Sequence, residues 1–107
     1  MVNEYTISEA VNRLVNIAKP AKVILFGSYA TGEATDDSDL DFMIIEPNST
    51  MTSQDRVALR DAVGDIGTGV DVLIFTEEEA NRRGQVPGTV IYWALREGRV
   101  MYESTAH

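Results

Sequence analysis

Between Val23 and Ile45 the chain reads VILFGSYATGEATDDSDLDFMII, two apolar runs separated by a glycine-serine corner, a polar spacer and an aspartate pair. Val23-Ile24-Leu25-Phe26 predicts a strand that delivers the chain into Gly27-Ser28. Ten residues later Asp39-Leu40-Asp41 opens a second strand, Phe42-Met43-Ile44-Ile45. Side chains two apart on a strand share a face, so Asp39 and Asp41 are expected as a paired carboxylate while Leu40 and Phe42 point into apolar packing. Two such charges about 4 Å apart repel by roughly 4 kcal/mol at an effective dielectric near 20 unless something neutralises them. A divalent cation is the natural partner, because Mg²⁺ is held by one or two carboxylates together with substrate phosphates. Gly27 permits close backbone approach, and Ser28, opening a short helix, offers a hydroxyl and backbone N–H groups to phosphate oxygens.

The rest of the chain supplies a sheet and its cover. Thr6-Ile7-Ser8-Glu9 has capping-box spacing, and Ile7, Val11, Leu14 and Ala18 recur at helical intervals up to Pro20. The spacer YATGEATDDS reads as one helical turn and a loop; it is near the minimum of about a dozen residues for a parallel crossover, so a mixed sheet is expected. After the loop EPNSTMTS, residues 54–63 predict a helix with Ser53 as its N-cap, broken by Gly64 to Gly69. Gly69 to Phe75 is a third strand with a buried-looking Asp71, which either caps a turn at the strand edge or faces a metal. Thr76-Glu77-Glu78-Glu79 repeats the capping box and starts a short helix to about Arg83. A last helix follows, with Pro87 near its first turn, Val90, Ile91, Ala94 and Leu95 on its buried face and Gly98 at its end, and then an edge strand, Arg99 to Tyr102. Tyr92 and Trp93 flank that buried face and either finish the local core or form a partner surface. His107, the one histidine, is given no role.

The string of apolar strand, Gly27-Ser28, ten-residue spacer and Asp39-x-Asp41 resembles the signature of the DNA polymerase beta-like nucleotidyltransferase superfamily. In this size class it is similar to the minimal nucleotidyltransferase (MNT) antitoxins that accompany HEPN-domain ribonuclease toxins. The resemblance implies an α/β fold of the α+β type, a small mixed β-sheet with helices packed on it like the polymerase palm, formed by residues 1–107 as a single domain. It implies Asp39, Asp41 and Asp71 as catalytic, metal-binding acids, the last matched to the acid of the family's following core strand. Gly27 and Ser28 would bind the nucleotide, with two Mg²⁺ or Mn²⁺ ions as cofactors and ATP as the donor. The activity implied is transfer of AMP to a tyrosine of a HEPN toxin, which blocks the toxin. One departure stands out: many members carry arginine in a Gly-Ser-x-Ala-Arg-Gly string, where this chain has Thr31. Loss of that charge-assisted contact would weaken triphosphate binding by about 1.5–3 kcal/mol, and Lys22, Arg82, Arg83 or Arg96 are the candidates to compensate.

Composition narrows the classes. At 107 residues the chain has room for one core and none for a second substrate-holding domain. Seventeen acids against nine bases give a net charge of −8, which disfavours direct binding of nucleic acid through its backbone. No apolar run reaches the roughly 18–20 residues of a membrane helix, and the polar start MVNEYTISE lacks a signal core, so a cytoplasmic protein is expected. With no cysteine, thiolate metal sites are excluded. Gly27 and Gly32 match the glycines of a phosphate loop, but Glu33-Ala34 stands where Lys-Ser/Thr is required; a calcium loop from Asp37 fails at Phe42 and Asn48. Two other readings remain beside the protein-modifying enzyme: an antitoxin that only occludes its toxin, and the catalytic subunit of a small-molecule nucleotidyltransferase.

Overall fold

Residues 2–47, 53–64 and 67–104 are described in a computed structural model of the protein. In chain order they form α1 (Glu4–Ala18), β1 (Lys22–Phe26), α2 (Ser28–Thr31), β2 (Leu40–Glu46), α3 (Ser53–Val63), β3 (Val70–Thr76), α4 (Glu77–Arg83), α5 (Val90–Glu97) and β4 (Arg99–Glu103). The strands make one sheet in the order β3-β2-β1-β4. β1 pairs antiparallel with β2 and β4, while β2 and β3 run parallel, so the sheet is mixed as expected. A parallel pair needs a crossover, and α3 provides it.

β2 is the centre of the fold, and its alternation sorts the core into two. Leu40, Phe42 and Ile44 pack with Val23 and Leu25 of β1 against Ile7, Ala10, Val11 and Leu14 of α1 and Leu59 and Val63 of α3. Met43 and Ile45 face the other way and pack with Ile24, Ala80 of α4, and Ile91 and Ala94 of α5. Both faces of β2 are therefore covered, and Phe42, wholly buried, would cost about 3–5 kcal/mol if cut back to alanine.

The helix ends are set by local chemistry, not always at the expected residue. Asn3, not Thr6, caps α1: Asn3 Oδ1 accepts from the N–H of Thr6 at 2.8 Å and from the Thr6 hydroxyl at 2.9 Å, so the helix begins three residues before the anticipated capping box. The Thr76–Glu79 capping box forms as expected at α4. α5 is capped by Thr89, whose hydroxyl accepts from Tyr92 N–H, which leaves Pro87 two residues ahead of the cap and outside the helix. The expected N-cap role of Ser53 lies outside the described side chains. Gly98 ends α5 where a Cβ would stand 2.6 Å from Ile24 Cγ2 and 3.0 Å from Leu25 O, so a bare Cα lets the helix turn onto β1 and enter β4. β4 carries a register shift opposite Val23 and Ile24.

Candidate active site

The pairing of β1 with β2 sets Phe26 opposite Asp41, and the next residue, Gly27, turns away into α2 with φ 75°. That left-handed conformation suits glycine. A Cβ there would also overlap Asp41 Oδ2 and lie 3.3 Å from its Cγ, so the corner and the carboxylate are in direct contact only because the side chain is missing. Ser28 begins α2, and the turn closes on Gly32 in the left-handed region.

On the other side of β2 the parallel register sets Leu40 beside Val70 and Asp41 beside Asp71. Thus β1, β2 and β3 bring Gly27, Ser28, Asp39, Asp41 and Asp71 to one end of the sheet, and alternation sets Asp41 and its neighbour Asp71 on the face of Met43 and Ile45, opposite Phe42. Asp71, expected as buried, is exposed, because it lies at the mouth of an edge strand where no helix covers it. Asp39 is exposed too and Asp41 half-buried. Burial pushes the Asp41 carboxyl above the usual range, and the charges of Asp71 and Asp39 push it further. None of the three has a hydrogen bond or ion pair with another described residue.

The two acids of the pair do not stand parallel. Asp41 leans over Gly27 on the β1 side, whereas Asp39, one residue ahead of β2, leans over Gly69 on the β3 side. Among the described residues no three acid, imidazole or thiol groups are gathered in a metal-binding arrangement. Asp39, Asp41 and Asp71 are nevertheless the residues that could hold a hard cation: carboxylate oxygens free of competing partners, mutually repelling, beside a backbone corner bare of Cβ.

Thr31 does not stand in for arginine. Its hydroxyl turns back to the carbonyls of Gly27 at 3.4 Å and Ser28 at 3.5 Å. Three of the four candidate cations are engaged elsewhere. Lys22, at the far end of β1, pairs with Glu103 at 3.0 Å; Arg82 lies 3.9 Å from Glu78; Arg96 donates to Gly84 O at 2.8 Å and stacks 3.7 Å over the Tyr92 ring. Arg83, in the last turn of α4, acts on Glu79. Tyr92 is half-buried, while Trp93, edge-on to it at 5.0 Å, is 50% exposed and does not complete the core. Nothing in the local sequence singles out Thr68 and Gly69. Gly69 reads there as the end of the break after the helix and the start of the third strand; its closeness to Asp39 comes from the β2–β3 register.

The chain belongs to the nucleotidyltransferase domain family, which matches residues 5–94. Fold and family together make it a nucleotidyltransferase, with a mixed sheet of the polymerase-palm kind. A relative in Methanocaldococcus jannaschii, named "Putative protein adenylyltransferase MJ0604", is 30% identical over 112 residues, covering 95% of this chain and 100% of the relative. A chain from a toxin-antitoxin structure solved with AMP-PNP superposes with a TM-score of 0.66 at 19% identity, over 92% of this chain and 74% of that one. A nucleotidyltransferase structure from Sulfolobus solfataricus, also named putative, superposes at 0.53 and 18%, over 94% and 89%. The two structures share the fold. No described helix is long and apolar enough to cross a membrane.

Proposed function

We propose that the chain moves AMP from ATP onto a side-chain hydroxyl of a partner protein, a tyrosine of a HEPN ribonuclease toxin, and thereby acts as that toxin's antitoxin in the cytoplasm. The observation that carries the reading is the end of the sheet itself: Gly27, followed by Ser28, meets Asp41, and Asp71 stands beside it, with no ion pair to a cation among the described residues. The protein-adenylyltransferase name of the archaeal relative and the toxin-antitoxin setting of the AMP-PNP structure support it.

In this reading residues 1–107 act as one unit. Ser28 and the first backbone amides of α2 orient the triphosphate over the bare Gly27, with the α-phosphorus toward β2. The acids Asp39, Asp41 and Asp71 would hold two Mg²⁺ or Mn²⁺ ions, which when bound supply Lewis-acid stabilisation of the attacking and leaving oxygens. Asp71, exposed at the β3 edge, meets the incoming hydroxyl and takes its proton. The hydroxyl oxygen forms a bond to the α-phosphorus as the bond to the β-phosphate bridge breaks, and pyrophosphate leaves. The net charge of −8 favours a basic partner over a nucleic-acid acceptor.

A second reading, neutralisation by occlusion alone, is favoured by one observation, the inward-turned Thr31 hydroxyl where the family commonly has arginine. The experiment that separates them incubates the protein with a HEPN-domain protein encoded beside it, Mg²⁺ and each NTP in turn, and reads the intact mass of the HEPN protein. We expect a gain of one or more AMP groups with ATP, lost in the Asp39→Ala/Asp41→Ala variant. Tight binding without any mass gain would leave occlusion.

A further inference from the structure

Positions 39, 41, 69 and 71 form a rectangle at the mouth of the sheet. The parallel register sets Asp41 beside Asp71, and one step back Asp39 comes beside Gly69, where Leu40 N–H donates to Gly69 O at 2.9 Å. Alternation places all four on one face, with the strands about 4.8 Å apart and neighbours along a strand about 6.7 Å apart. Three corners carry carboxylates and the fourth is glycine.

Asp39 fills that fourth corner. A Cβ on Gly69 would stand 2.5 Å from Asp39 Oδ1, 2.9 Å from its Cγ and 3.3 Å from Oδ2, so an alanine there could not coexist with the carboxylate. The backbone does not ask for glycine: Gly69 is absent from the positive-φ glycines, which are Gly27, Gly32, Gly64, Gly67 and Gly88. The junction is also pinned on both sides of Asp39. Thr68 Oγ1 donates to Ser38 O at 2.6 Å, and the Leu40–Gly69 bond holds the residue after it. With Ser38 and Leu40 held by these bonds, a side chain at 69 would push the Asp39 carboxylate out of that corner.

We propose that Gly69 is a positioning residue for Asp39, its bare Cα keeping open the corner from which Asp39 and Asp71 can share a divalent cation, with Thr68 anchoring the backbone beneath it. This rests on reading Asp39 as a metal ligand. Outer partners that orient a ligand commonly change metal affinity 10- to 100-fold, and Gly69 acts at the same remove.

The test is Mn²⁺ binding, followed by the electron paramagnetic resonance signal of the free ion, with the melting temperature recorded for each variant. Gly69→Ala should weaken Mn²⁺ binding by about tenfold or more with an unchanged melting temperature, since its backbone is unstrained. Thr68→Val should weaken it as well, and Thr68→Ser, which keeps the hydroxyl, should restore it. Asp39→Ala sets the scale. Wild-type affinity in Gly69→Ala alongside a loss in Asp39→Ala overturns the assignment of Gly69 and leaves the metal reading standing. Wild-type affinity in Asp39→Ala removes both.

Discussion

Glu46, the last residue of β2, is 6% exposed, and its Oε1 is buried with no hydrogen-bond partner among the described residues. Burial alone raises its carboxyl above the usual range. A folded-state value above the unfolded one means that the folded protein favours the protonated acid. The penalty is absent below the unfolded carboxylate range, grows as pH rises from there through the raised folded value, and is complete above it. Glutamine keeps the shape and removes the charge, so Glu46→Gln should match the wild type in acid and exceed it at neutral pH. Leaving a buried polar atom unpaired costs about 1–3 kcal/mol, more for a charged group. We therefore expect a gain of about 1–2 kcal/mol at pH 8, seen as a rise of about 4 °C per kcal/mol in melting temperature. The assay is urea unfolding of both proteins across a pH series from the acid side to pH 8. A difference that does not change with pH, or a variant less stable than the wild type at pH 8, would refute the reasoning.

Gly27→Ala combines a left-handed backbone with overlap at Asp41, and should lose about 1–2 kcal/mol by urea unfolding together with nucleotidyl transfer. Asp71→Asn removes a charge that raises Asp41. The Asp41 carboxyl, followed by NMR titration, should move down toward its ordinary range, and stability above that range should rise by a few tenths of a kcal/mol while transfer falls. Thr31→Arg should tighten binding of a non-hydrolysable ATP analogue by about tenfold or more in calorimetry, the size of one charge-assisted contact; no change would mean that another group already meets the phosphates.

The mixed sheet was legible because apolar runs, the short spacer between Gly27 and Asp39 and the Gly98 stop each carry a backbone meaning. Gly27, Ser28, Asp39 and Asp41 stood out because strand alternation and the glycine-serine corner are local, whereas Asp71 was assigned only through the family resemblance; the structure brings the five to one end of the sheet. What the sequence hid depends on register. Nothing local says that Asp41 sits beside Asp71, that Asp39 crosses toward Gly69, or that the pair splays. Asp71 read as buried because its neighbours are apolar, yet edge position decides exposure. Lys22 looked available for phosphate until β1 placed it at the far end of the sheet, paired with Glu103. Asn3 displaced the Thr6 capping box because its side chain accepts from both the amide and the hydroxyl of Thr6, which places Thr6 inside the first turn.

β4 is the last of the described elements, yet it pairs with β1, near their start. Until Arg99–Glu103 exists, β1 offers an unpaired apolar edge along Val23, Ile24 and Leu25, and Arg99 cannot reach Glu4. During synthesis, then, the corner from Gly27 to Asp41 leaves the ribosome well before the sheet that supports it can be completed. A nascent or prematurely ended chain would display Asp39, Asp41 and Asp71 on an open-edged intermediate, exposed to chaperones and proteases.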